Sequence, residues 1–105
     1  MAVVSRYLVV GGAYYDKRRV YICKEIRKEE REAQFVVINL EIASIVTRNI
    51  KFSMFNELKL ERLPAEKTGE LLADTFLALQ RQSREQKVEM EIADIARKWL
   101  KVIKK

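Results

Sequence analysis

A chain of 105 residues, 49% hydrophobic and 34% charged, has the size and composition of one globular domain with its own core, and its apolar runs are too short for a membrane span. With no histidine and a single cysteine, a Ser-His-Asp triad, a Cys-His pair, an HExxH helix, a Cys/His zinc site and an intramolecular disulfide are all excluded. The net charge of +6 directs attention to polyanionic partners.

The N-terminus, Met1 to Arg6, lacks a basic segment followed by an apolar stretch and a small-residue cleavage site, so a cytoplasmic protein is expected. Val3 to Val10 alternates loosely and is rich in β-branched residues. Arg18 to Arg27 follows as a second strand, and the two are expected to form a hairpin. Its turn falls at Gly11-Gly12 or at Asp16-Lys17; the second is favoured because it matches the strand lengths and leaves the glycines as a bulge. Neither glycine belongs to a P-loop or a dinucleotide fingerprint. Within Ala13 to Lys28, period two puts Tyr15, Lys17, Arg19, Tyr21, Cys23, Glu25 and Arg27 on one face and Val20, Ile22 and Ile26 on the other. Cys23, alone on a strand, reads as a packing residue rather than a redox centre.

Glu29 to Glu32 is a charged connection. Phe35 to Ile45, with Val36, Ile38, Leu40 and Ile42 on one face, is the most apolar strand and the expected centre of the sheet. Glu41 in its midst is either a buried carboxylate of catalytic interest or an exposed residue, and without a partner in view the exposed reading is preferred. Asn49 to Leu60 reads as a fourth strand, with Ile50, Phe52 and Met54 on one side, Lys51, Ser53 and Phe55 on the other, and a break near Asn56.

Pro64 changes the period. It suits a first helical position, Glu66 follows in the first turn, and Leu72, Phe76 and Leu79 with Ala65 and Thr75 form a stripe that predicts a helix to about Gln82. Ser83-Arg84-Glu85-Gln86 has capping-box form, and Val88, Ile92, Ile95, Ala96, Trp99 and Ile103 line one face of a second helix. No Gly or Pro separates the two. They either pack as an αα-hairpin or merge into one rod, and a rod would bury Val88, Ile92, Ile95, Trp99 and Ile103 against a second subunit, so a homodimer is expected. Trp99 is read as a core or dimer anchor, and Phe35, Phe52 and Phe76 as core.

The resulting architecture is α+β in a single domain: an antiparallel sheet of about four strands from residues 1–62, covered on one face by two helices from residues 63–105. The other face is expected to be open. On it fall Arg6, Tyr7, Tyr15, Lys17, Arg19, Tyr21, Arg27, Lys51 and Phe55. Cations there would neutralise phosphates, and aromatic rings would stack unpaired bases at about 1–3 kcal/mol per base. The same pattern has a plainer source in the β-propensity of tyrosine and in charges that protect sheet edges. Basic charge gathers at the two ends. Residues 97–105 hold five cations and no acid, which also suits the negative end of a helix. The expected function is non-catalytic, largely sequence-independent binding of single-stranded DNA, or RNA, without metal or cofactor. The alternative is an interaction module that docks a protein through the Leu72–Leu79 and Val88–Ile103 stripes. Abundant Lys, Arg, Glu, Ile and Val lean toward a thermophile's composition.

In layout, a small basic sheet followed by LPAEKTGELLADTFLALQ and a helical tail ending KWLKVIKK resembles the ThermoDBP-related single-stranded-DNA-binding proteins of hyperthermophilic archaea. It is more distantly similar to Pur and Whirly domains. The resemblance implies a basic cleft or sheet that binds single strands without catalysis, and an oligomer formed through helices; RRVYICKEIRK is the segment where it would place the ligand.

Overall fold

The computed structural model describes residues 3–84 and 88–104. Its elements are β1 (Ala13–Tyr15), β2 (Arg19–Arg27), β3 (Glu32–Asn39), β4 (Ser44–Lys51), α1 (Phe52–Leu58), β5 (Glu61–Arg62), α2 (Ala65–Arg84) and α3 (Glu89–Ile103). The fold is α+β. Five strands form one antiparallel sheet in the order β4-β3-β2-β1-β5, against the about four expected.

The β1–β2 hairpin turns at Lys17 and Arg18. The Asp16 Oδ1 accepts hydrogen bonds from the Arg18 and Arg19 amides, both at 2.7 Å, so a side chain completes the turn that the sequence favoured. Gly11 and Gly12 lie opposite one residue: the Gly11 amide donates to the Cys23 carbonyl at 2.8 Å, and the Cys23 amide donates to the Gly12 carbonyl at 3.0 Å. Two residues against one, with Gly11 at φ +85°, make the expected bulge. Val3 to Val10 is not the first strand. It holds a 3₁₀ turn at Ser5–Tyr7 and crosses the sheet as a covering segment, with Leu8 buried and the Val3 amide bonded to the Leu60 carbonyl at 2.7 Å.

Phe35 to Ile45 is likewise divided. The Asn39 Oδ1 accepts from the amides of Glu41 and Ile42, and Ala43 takes φ +52°, so the chain reverses into β4. Glu41 therefore stands on an exposed turn, paired with Arg18 at 3.2 Å. The strand expected from Asn49 to Leu60 ends at Lys51. Phe52 and Phe55, three apart, turn toward the sheet as α1, which Lys59 closes at φ +53°.

Both faces of the sheet are consequently covered. Val20, Ile22, Val36, Ile38 and Ile45 pack under α2 and α3 with Leu71, Ile92, Ile95 and Trp99. Tyr14, Tyr21, Cys23, Phe35 and Val37 pack on the opposite side with Phe55 of α1, Leu8 and Leu60. Phe35 and Phe55 stack at 5.4 Å, and Tyr14 meets Phe55 edge-on at 5.6 Å. The expectation of an open sheet face is thus corrected: α1, too short to show a helical period, fills much of it.

The two long helices pack as separate elements rather than as a rod. The Trp99 Nε1 donates to the Thr75 Oγ1 at 3.0 Å, and that hydroxyl donates to the Leu71 carbonyl at 2.7 Å. Arg81 pairs with Glu91 at 3.0 Å across the same contact. The capping box extends into Glu85 and Gln86, which lie outside the described residues. Val88, Ile92, Ile95 and Trp99 are buried within the single chain, and Ile103 packs partly buried beside them. The dimerisation stripe is therefore used internally. No described helix is long and apolar enough to cross a membrane.

Candidate functional site

The residues expected to share one platform are dispersed. Tyr21 is only 4% exposed, and Phe55 is fully buried, because both belong to the core between the sheet and α1. Neither ring can stack a base. The bulge explains Arg27: the register shifts between Cys23 and Glu25, so Glu25 and Arg27 leave the face of Tyr21 and Cys23. Arg27 meets Glu25 at 3.2 Å, Glu32 at 3.5 Å and Glu30 at 3.9 Å. Its guanidinium is held in the charged form above all by the Glu25 hydrogen bond, and it is occupied.

Tyr15 and Lys17 lie elsewhere. The Tyr15 hydroxyl donates to the Glu61 Oε2 at 3.0 Å, which raises the phenol's pKa, and both residues line a cavity of about 580 Å³ with Lys17, Lys59, Leu100 and Lys104. Asp16 and Glu61 dilute its positive charge.

Three hollows lie on the α1 side, one along the Met54–Leu58 flank of α1 and two around its start. The first, about 330 Å³, has Arg19 and Arg48 on its walls, Tyr21, Val37 and Ile50 on its floor, and Met54 and Leu58 of α1 along one side. The spacing of four places Met54 and Leu58 on the same flank of α1, where they are 60% and 39% exposed. β-sheet pairing sets the cations: Arg19 opens β2, and Arg48 lies opposite Phe35, so both stand on the α1 side. Burial raises the Tyr21 phenol's pKa most, the Asp16 carboxylate raises it further, and the nearby Arg19 and Arg48 act against both. The two guanidiniums thus approach one hydroxyl from the groove, and neither has an ion-pair partner among the described residues.

The second region lies around the start of α1. Arg31, Lys51 and Lys28 line one hollow of about 650 Å³ with Phe52, Ser53, Asn56 and the acid Glu30, which faces Arg27 at 3.9 Å. Lys28 and Phe52 also border a hollow of about 380 Å³ with Arg6 and Leu8. Arg6 sits 5.0 Å above the Tyr7 ring, and Tyr7 is 60% exposed, the most exposed tyrosine of the expected set. Arg6, Tyr7 and Lys51 thus stay near one another, and Arg19 lies along the other flank of α1.

Sequence reasoning missed Arg48, Lys28 and Arg31. Arg48 was hidden because β4 was started at Asn49; read as a partner of Phe35, it becomes a cation on the same face as Arg19. Among the described residues there is no cluster of three or more Cys, Asp or Glu that could hold a metal ion. Cys23 is buried, its thiol is pushed up to about 11 by burial, and it is not poised for redox work. No protein-family model matches the chain, and no curated protein or solved structure was found to match it.

Proposed function

We propose that the protein binds single-stranded nucleic acid without catalysis, through the grooves that flank α1 rather than through a flat sheet face. One observation carries this reading: Arg6, Arg19, Lys28, Arg31, Arg48 and Lys51 all border those grooves, and none makes an ion pair among the described residues. On the helical side, Arg81, Arg97 and Lys98 are each paired with a carboxylate, and Lys67 and Lys101, though unpaired among the described residues, share a hollow with Glu66, Glu70 and Asp74. Six cations along these grooves without an ion-pair partner among the described residues favour a polyanion there, with affinity gained by release of its counterions. The exposed Tyr7 ring and the apolar flank of Met54 and Leu58 offer surfaces for unpaired bases, which a duplex conceals.

The test is a titration of labelled oligo-dT, the matching RNA and a duplex at several salt concentrations. Affinity for the single strand should fall with a log-log slope of about −0.7 per phosphate neutralised. Removing Arg31 or Lys51 should flatten that slope by about one phosphate each. Binding that ignores salt, or that favours duplex, would reject the reading. Of the stripes that a protein-docking role would require, Val88, Ile92, Ile95 and Trp99 are buried within the chain, and Leu72, Phe76, Leu79 and Ile103 pack partly buried against the same core, which leaves less apolar surface for that alternative.

A further inference from the structure

The Arg19–Arg48 groove differs from the rest of the basic surface in having two arginines, and no carboxylate among the described residues, line one small space beside exposed apolar side chains. Its volume of about 330 Å³ is at the low end of small-molecule sites, which span roughly 300–1,000 Å³. That holds one nucleotide, not a run of them. The charge is equally specific. Two arginines line the groove and, among the described residues, no carboxylate lines it, so a bound anion that carried two charges would be held by both. An internal phosphodiester carries only one. A terminal phosphate monoester carries about −1.5 to −2 at neutral pH and offers three oxygens, enough to engage two arginine forks.

We propose that this groove receives the phosphorylated end of a nucleic-acid strand, with the terminal phosphate between Arg19 and Arg48 and the terminal base against Met54 and Leu58. The proposal deepens the single-strand reading, on which it rests for the nature of the ligand. Tyr21 is a positioning residue here. Its ring is fixed in the core against Phe35, 6.2 Å away and edge-on, so its hydroxyl marks a rigid floor beneath the two guanidiniums. Arg48 reaches the groove from β4 and Arg19 from β2, so the separation of the pair is set by the sheet and not by a loop.

The experiment compares short oligo-dT bearing a 5′-phosphate, a 3′-phosphate or hydroxyl at both ends, together with thymidine 5′-monophosphate, by fluorescence and amide-resonance titration. One phosphorylated end should bind at least about tenfold more tightly than the hydroxyl-ended strand, and the preference should shrink below about pH 6, where the monoester gains a proton. Resonances of Tyr21, Val37, Asn49 and Met54 should move. Arg48→Ala and Arg19→Ala should each abolish the preference without lowering the melting temperature, since both side chains are exposed. Arg48→Lys should restore it only in part, because it keeps the charge and loses the fork. Equal affinity for phosphorylated and unphosphorylated ends would overturn the proposal and leave the single-strand reading in place. Thymidine 5′-monophosphate bound in the groove without any oligonucleotide binding would overturn the proposal together with the single-strand reading, since the occupant would then be a free nucleotide and not a strand end. Ligand-induced shifts confined to Lys28, Arg31 and Lys51 would move the strand end out of this groove and overturn the proposal.

Discussion

Gly12 occupies a position where a single methyl group has no room. A Cβ there would lie 2.7 Å from the Tyr14 Oη and 3.0 Å from the Val9 Cγ2. The Tyr14 hydroxyl cannot withdraw, because its ring is sealed against Phe55 and its oxygen accepts the Val9 amide at 3.0 Å. Gly12→Ala is therefore expected to cost about 1–3 kcal/mol by overpacking, read as a lower urea midpoint at unchanged slope. The same core sets an alkaline limit. Burial pushes the Cys23 thiol from 9.0 up to about 11, and it raises the Tyr14 and Tyr21 phenols above 10.0. As pH rises from 9 toward 11, the folded chain keeps a proton that the unfolded chain loses, so stability that is complete below pH 9 declines through that window. Cys23→Ala should make the decline shallower over the same range. Equal slopes for the two proteins would show that the thiol titrates as freely when folded as when unfolded.

At the scale of elements, α2 and α3 meet through a polar contact in an apolar setting. Trp99 donates to Thr75, and among the described residues no buried side-chain polar atom lacks a partner. Thr75→Val would strand the indole N–H at a cost of about 1–3 kcal/mol. Trp99→Phe should cost a similar amount through the lost bond and the unfilled volume. The double variant should cost less than the two together, since no donor is then left unpaired; strict additivity in denaturant unfolding would place the bond outside the stability of the pair. These two helices were legible in the sequence because Pro64 marks a start and twenty residues give the spacing of three and four time to show. α1 was not. Seven residues hold two turns at most, and Phe52, Met54 and Lys51, Ser53 alternate well enough to pass for a strand. The one discordant sign was Phe55, an aromatic on the side read as polar. Asn39 was another missed sign: its side chain closes a turn that a run of apolar residues had seemed to carry through. Phe55→Ala should cost about 3–5 kcal/mol and loosen α1 first, so amide exchange in residues 52–58 should quicken more than in α2.

The whole molecule is a sheet with two unequal covers, and this asymmetry decides which surfaces remain for a ligand. α2 and α3 supply a broad apolar lid on one side; a seven-residue helix and the N-terminal segment supply a narrow one on the other. The site was legible in its chemistry and not in its placement. Arg19 could be assigned to a basic face from alternation alone, but Tyr21 shared that alternation and became floor, because nothing local announces what will cover a face. Arg27 left it through a bulge that only the pairing with β3 reveals. The same logic reaches the expected dimer. A helical stripe unpaired in sequence invites a partner subunit, yet here the sheet of the same chain is the partner, and Ile95 is buried against it. Ile95→Ala should therefore lower the melting temperature through a cavity costing about 2–5 kcal/mol, whatever the state of association. If the stripe were an intersubunit seam, the loss would depend on protein concentration, since association would contribute to stability by mass action. The expected result is a drop in melting temperature that stays constant over a roughly hundredfold range of concentration. A drop that grows on dilution would return Ile95, with Ile92 and Trp99, to a seam between two chains.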